Sequence, residues 1–330
     1  MPISPAPLQH ILVTGAGGFI GRALVPLLLA RGHRVSVCVR DKAAAAAGTN
    51  IRHLGDIGPQ TDWTVPLSGI DAVVHLAARV HVMSRQDEAV YQNANVAPTL
   101  HLAEAAAASG VRRLVFLSSV KALGEASHGR PLTEADPPDP RDAYGRSKLA
   151  AEQGLAAIAA ATGLDVVTLR PPLVHGPGVR ANFLGLLRLI DRGVPLPFGA
   201  LENRRSLIAV GNLAAAITRA VEHAPPSTGV YLVADRPALS TAALIRTLAD
   251  GMGRRHPLVA VPPVLIRAGA ALPLVGPRLA RLTGDLDLDD GRFRRTFDWS
   301  PPVDAATALR ETADWYARTL SGRPRAGSRP

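Results

Sequence analysis

Short apolar runs alternate with longer helical patterns through the first half of this chain. Ile11-Leu-Val13 predicts a buried strand, and the apolar stretch Ala23-Leu-Val-Pro-Leu-Leu-Leu29 predicts a helix after it. Arg34-Val-Ser-Val-Cys-Val39 predicts a second strand, Ile51-Arg-His-Leu54 a weaker third and Asp71-Ala-Val-Val-His-Leu76 a fourth. An alanine-rich helix is expected over residues 88–109. Arg113-Leu-Val-Phe-Leu-Ser118 predicts a fifth strand and Asp165-Val-Val-Thr-Leu-Arg170 a sixth, with a helix through Tyr144 to residue 161 between them. Repeated strand–helix order implies an α/β fold, with a parallel sheet covered on both faces.

The second half is broken by Pro171-Pro172, Pro195-Leu-Pro197, Pro262-Pro263 and Pro301-Pro302. Two helices are expected there, over residues 182–192 and 305–320. Ser206-Leu-Ile-Ala-Val210 and Gly229-Val-Tyr-Leu-Val233 read as strands that return to the main sheet. The expected division is a dinucleotide-binding domain over 9–175, with return segments in 206–233. A smaller, mixed and interleaved substrate domain follows over 176–320, then a disordered tail over 321–330.

With 330 residues, 47% of them hydrophobic, the chain can bury a large core. Its one cysteine, Cys38, excludes an internal disulfide and a cysteine metal cluster. No apolar run approaches the ~18 residues of a membrane span, and residues 1–10 hold no signal-peptide core. The expectation is a cytoplasmic protein. The net charge of +10 invites nucleic acid as a partner, but 4% aromatic content is too sparse for base stacking, and the arginines are scattered. No nucleic acid and no metal are expected. The ten histidines form no helical His-x-x-x-His pair with a third ligand.

Two patterns carry chemistry. Gly15, Gly18 and Gly21 stand at the first strand–helix junction, where glycine allows positive φ and close backbone approach. Pyrophosphate can reach the helix-start amides there, so Gly15, Gly18, Phe19, Ile20 and Gly21 are candidate dinucleotide contacts. Tyr144 and Lys148 lie four residues apart in Asp142-Ala-Tyr-Gly-Arg-Ser-Lys148, which puts them on one helix face. A cation beside a tyrosine favours the phenolate and lowers its pKa from about 10, giving a usable acid or base near neutrality.

Together these motifs resemble the extended short-chain dehydrogenase/reductase family, most of all its branch around UDP-galactose 4-epimerase. The resemblance covers roughly residues 10 to 318. It rests on Thr14-Gly-Ala-Gly-Gly-Phe-Ile-Gly21, Gly55-Asp-Ile57, His75-Leu-Ala-Ala78, Asn95-Val96, Phe116-Leu-Ser-Ser119, Tyr144-Gly-Arg-Ser-Lys148 and Leu169-Arg-Pro-Pro172. It implies a Rossmann-type doubly wound sheet and a catalytic triad of Ser119, Tyr144 and Lys148, with Ser118 a competitor for the serine role. In that reading Tyr144 exchanges a proton with the sugar oxygen, and Lys148 holds the nicotinamide ribose. Asp56 and Ile57 match the adenine-contacting pair, and Leu76, Ala77, Ala78 and Asn95 match positions beside the cofactor. His75 reads as a strand-end structural residue. Arg79 and His81 are placed near the sugar, Asn182 and Arg205 near the diphosphate, and Leu282-Thr-Gly284 near the same site. The implied substrate is a UDP-sugar, and a homodimer is possible.

Two departures narrow the expected chemistry. The second strand ends in Val39-Arg40 instead of an acidic residue. An arginine there accommodates a 2′-phosphate, which favours NADP(H) over NAD(H), although Asp41 could substitute after a register shift. Val120 and Lys121 stand where sugar dehydratases of the family carry an acidic pair, so a dehydratase is rejected. The main expectation is a reductase of the C4 ketone of a UDP-4-keto-6-deoxy-N-acetylhexosamine, serving surface-polysaccharide synthesis. The alternative is a 4-epimerase of UDP-glucose or UDP-N-acetylglucosamine. A non-catalytic cofactor-binding regulator is the remaining class.

Overall fold

The parallel sheet follows from strands whose two faces are both apolar. A computed structural model describes residues 8–79, 88–269 and 282–321. Seven parallel strands form the main sheet in the order β3-β2-β1-β4-β5-β6-β9. They are β1 (His10–Thr14), β2 (Arg34–Val39), β3 (Asn50–Leu54), β4 (Ala72–His75), β5 (Arg113–Leu117), β6 (Asp165–Arg170) and β9 (Gly229–Leu232). Every residue of β1, β4, β5 and β6 is buried. Alternate side chains enter opposite cores. Leu12, Val73, Leu114 and Val166 pack under helices α3 (Ala97–Ala108) and α4 (Ala143–Thr162). Ile11, Val13, Val74 and Val115 pack under α1 (Phe19–Ala30) and α6 (Val210–Glu222). The strand order reverses direction between β1 and β4, and sheets of this kind bind ligands at the carboxyl ends of the strands beside such a switch.

The structure departs from the sequence expectations in three places. Leu207–Ala209 (β8) does not return to the main sheet; it pairs with Leu173–His175 (β7) in a separate two-stranded parallel sheet. Residues 229–232 do join the main sheet, beside β6. The cause of the first difference is α6, which begins at Val210 inside the apolar run read as strand. Its N-cap is Ala209, with no side-chain cap hydrogen bond, so no capping residue announces the helix. The expected single helix over 88–109 is α2 (Glu88–Tyr91), a π-helical turn at Gln92–Val96, and α3. Pro98 lacks the amide that would continue the α-helical ladder across this junction. In the second half, α5 (Ala181–Asp191) and the helix Ala305–Thr319 stand where expected, and α7 (Thr241–Gly251), α8 (Pro263–Gly269) and the helix Gly291–Phe297 are additional. His81 and the tail from residue 322 lie outside the described residues.

The late helix Gly291–Phe297 closes the first core. Phe297 is fully buried and meets Tyr231 of β9 edge-on at 5.0 Å between ring centroids, with Phe293 at 4.6 Å. A separate cluster fills the second half, where α5, α7 and the helix Ala305–Thr319 share Phe183, Leu187, Ile245, Leu248 and Leu309. No helix among the described residues is long and apolar enough to cross a membrane. Phe297→Ala should leave a cavity beneath the sheet and destabilise the protein by about 3–5 kcal/mol. Urea unfolding measures this, and a loss under about 1 kcal/mol would show that the 290s helix is not part of the main core.

Candidate active site

The first βα turn is built where side chains would not fit. Gly15 adopts φ +71°, and a Cβ there would lie 2.8 Å from the Ala77 amide nitrogen. A Cβ on Gly21 would lie 2.4 Å from the Ala16 carbonyl oxygen. Gly18 caps α1 and offers no side chain of its own to the helix-start amides around Phe19 and Ile20. A glycine cradle below open amides at a helix N-terminus fits a dinucleotide pyrophosphate.

The neighbouring strand ends are latched together. His75 Nδ1 meets Thr14 Oγ1 at 2.7 Å and its Nε2 meets Thr99 Oγ1 at 2.9 Å. Both ring nitrogens are thereby engaged, and the ring is 2% exposed, which leaves it no proton to exchange with a ligand. Thr14 Oγ1 also accepts from the Ala77 amide at 3.3 Å. Asn95 sits in the π-helical turn, where its side chain accepts from the Arg79 amide at 2.7 Å and donates to the Arg79 carbonyl at 3.2 Å. It donates to Ser147 of α4 as well, at 3.2 Å. The segment Leu76, Ala77, Ala78, Arg79 is thus held between β1 and α4.

Helix α4 is pressed onto the ends of β5 and β6. Asp142 caps it, accepting from the Gly145 amide at 2.7 Å. A Cβ on Gly145 would lie 2.4 Å from the Lys121 carbonyl oxygen, so glycine permits the Ser119-Val-Lys121 turn to touch the start of the helix. The two serines separate cleanly. Ser118 is buried and donates to Glu152, which also pairs with Arg170. Ser119 is only partly buried, and its Oγ accepts from the Lys121 amide at 3.2 Å. Lys148 Nζ donates to the Leu117 carbonyl at 2.8 Å and lies 4.6 Å from the Phe116 ring centroid.

One sequence expectation is corrected here. Lys148 does not lower the Tyr144 pKa in this structure. Its ammonium is turned to the β5 end, 5.9 Å from the Tyr144 ring centroid. Burial raises the phenol above its ordinary range, and the charges of Asp142 and Tyr91 act in the same direction. Burial also lowers Lys148 to about 7, against an opposing pull from Glu152.

The remaining candidates spread along the same edge and into the second half. The Gly55 amide donates to the Val39 carbonyl at 3.0 Å, which holds Gly55 beside the end of β2; the Arg40 and Asp56 side chains are exposed, and Ile57 is partly buried. Asp41 accepts from the Ala43 amide at 3.0 Å, capping a short 3-10 turn. Asn182 is exposed in the first turn of α5. Arg205 Nη1 donates to the Gly284 carbonyl at 2.9 Å, and Asn203 Nδ2 reaches the carbonyls of Leu282 and Gly284, both at 3.1 Å. Residues 203–205 and 282–284 therefore form one structural unit.

Residues 11–234 match the NAD dependent epimerase/dehydratase family. The chain belongs to that family. It is 38% identical over 314 residues to a UDP-glucose 4-epimerase of Vibrio cholerae, covering 93% of this chain and 95% of that one. It is 29% identical over 256 residues to the N-acetyl-alpha-D-glucosaminyl-diphospho-ditrans,octacis-undecaprenol 4-epimerase of Escherichia coli O157:H7, covering 77% and 76% of the two chains. Among solved structures it resembles MoeE5 in complex with UDP-glucuronic acid and NAD. That match has a TM-score of 0.75 and 26% identity, and covers 94% of this chain and all of the other. The protein is an enzyme of the NAD-dependent epimerase/dehydratase family.

Membership gives the supporting residues a context that motif reading left out. Thr14, Thr99, Ser147, Glu152 and Arg170 hold the candidate site, yet none is a candidate by residue type alone. The one available signal was spacing: Glu152 follows Lys148 by one helical turn. Two predictions follow from their geometry. Gly145→Ala should push the Ser119 turn off α4, destabilising the fold by about 1–3 kcal/mol and lowering activity with it. A variant of wild-type stability and activity would mean that the close approach is not needed.

The second concerns acid. Burial, aided by the Lys148 charge, lowers His75 from 6.5 to about 3. Between those values the unfolded chain binds a proton that the folded chain does not, so stability is lost as pH falls from 6.5 towards 3. Urea midpoints of wild type and His75→Asn across that range should show a shallower acid loss in the variant. Parallel curves would exclude His75 as the source.

Proposed function

We propose that the protein is a 4-epimerase of UDP-glucose or its N-acetyl analogue. The observation that carries this reading is the 38% identity to the Vibrio cholerae UDP-glucose 4-epimerase over 93% of the chain. The site is chemically suited to it. When bound, the nicotinamide supplies reversible two-electron oxidation of the sugar carbon. Tyr144 takes the C4 hydroxyl proton during oxidation and returns it on reduction. Ser119, whose hydroxyl is not committed to Glu152 as that of Ser118 is, hydrogen-bonds the same oxygen. Protonated Lys148 supplies positive charge to the cofactor ribose. The glycine cradle holds the pyrophosphate. Asn182 and Arg205 are assigned to the UDP diphosphate, and Arg79 to the sugar.

Reduction of a 4-keto sugar is the second reading. It is favoured by the exposed Arg40 at the end of β2, where a guanidinium suits a 2′-phosphate. An epimerase interconverts the gluco and galacto forms with no net change in nicotinamide absorbance, and this is the expected result. Consumption of one reduced cofactor per 4-keto sugar, with no interconversion, would replace the epimerase reading by the reductase.

Tyr144→Phe should lower turnover by about 10²–10⁴-fold, the range for a lost general acid or base, while nicotinamide binding persists. Near-normal turnover would remove Tyr144 from the proton transfer. Arg40→Ala should weaken NADP(H) by about tenfold or more and leave NAD(H) nearly unchanged, since only the former offers a phosphate partner. Calorimetric titration of both cofactors reads this directly, and equal losses for both would exclude Arg40 as the discriminator.

A further inference from the structure

Six of the ten large hydrophobic side chains exposed among the described residues belong to one region of the second half: Leu189, Val194, Val259, Val264, Leu265 and Leu320. They lie on three segments that the fold ties together at Asp191. Arg254 Nε donates to the Asp191 carboxylate at 3.1 Å and Ser321 Oγ at 2.9 Å, while Asp191 itself ends α5. Leu196 and Leu258 form a β-bridge, and the Val259 amide donates to the Leu196 carbonyl at 2.8 Å. Helix α8 follows, with Ile266 buried in the adjoining cluster while Val264 and Leu265 are 68% and 61% exposed.

On these three segments the exposed charged side chains are arginines, while Asp250 and Glu202 are exposed on neighbouring stretches. Arg188, Arg192 and Arg255 are exposed on the same segments. Asp191 is the one acid in residues 188–196, 254–265 and 320–321, and it is buried against its partners.

We propose that this face docks the enzyme peripherally on an anionic phospholipid bilayer. Guanidinium groups interleaved with exposed aliphatic side chains match the headgroup boundary, which offers phosphates at one depth and acyl chains just below. A nucleic acid or acidic protein would engage the cations but leave Val264 and Leu265 facing a hydrated partner. A second copy meeting the same face about a two-fold axis would set the arginines against each other.

The test is co-sedimentation of the full chain with vesicles of phosphatidylcholine alone and of equal parts phosphatidylcholine and phosphatidylglycerol. Binding is expected to the mixed vesicles only, and to weaken with added salt. The triple variant Arg188→Glu, Arg192→Glu, Arg255→Glu should reduce partitioning by about 100-fold, from roughly fivefold per basic residue. Val264→Gln with Leu265→Gln should reduce it by about tenfold through lost apolar insertion. All five positions are exposed, so thermal melts should match wild type and separate loss of docking from loss of fold. The proposal is overturned if the wild type does not bind anionic vesicles, or if the charge variant binds as wild type does. It is equally overturned if the Gln variant is unaffected, or if only removal of residues 322–330 abolishes binding. Binding to a single-stranded RNA homopolymer in place of vesicles would identify the face as a polyanion site and overturn it too.

Discussion

Lys148 and Glu152 lie one turn apart on α4, both buried, and each is anchored to a different strand end. The ammonium rests on the Leu117 carbonyl at the end of β5. The carboxylate binds Ser118 just beyond β5 and Arg170 at the end of β6. Charges taken out of water are costly unless their partners are close and complete, so these contacts admit one position of the helix over the sheet. That position sets where Tyr144 and Ser119 stand. Loss of a single partner would leave a buried charge uncompensated, which is worse than loss of the whole group.

A second set of constraints acts on the β1–β4 side and uses no net charge. The Thr14–His75–Thr99 chain and the Asn95 clasp on Arg79 fix the ends of the two strands at the reversal of strand order. Asn95 can reach both Arg79 and Ser147 because it sits on the π-helical turn, which widens the helix just before Pro98. The cofactor cradle and the proton-transfer helix thus share one residue. Steric exclusion completes the frame, since Gly15, Gly21 and Gly145 each stand where a Cβ would meet backbone.

The second half is built on a different principle. Its cluster of leucines, isoleucine and phenylalanine is separate from both faces of the sheet, and its segments are joined by polar ties at Asp191 and at Asn203–Arg205. These ties gather distant stretches without extended strand pairing, which is why periodicity revealed little of this half. The helix Gly291–Phe297 illustrates the point: it is short, and its two phenylalanines serve the core of the first half.

The sequence alone determined the strand–helix alternation, the glycine turn, and the Tyr144–Lys148 pair. Those features depend on local spacing, and a short apolar run or a period of 3.6 residues is visible in any window. Strands β2 and β6 fell on the expected residues for that reason. Tertiary structure decided that Leu207–Ala209 would pair with β7, that an uncapped helix would start at Val210, and that Ser118 would be bound to Glu152 while Ser119 would not. It also reversed the expected direction of the Tyr144 pKa. Helical spacing brings an ammonium within reach of a phenol, but burial and the competing Leu117 carbonyl decide the balance, and both are properties of the packed molecule.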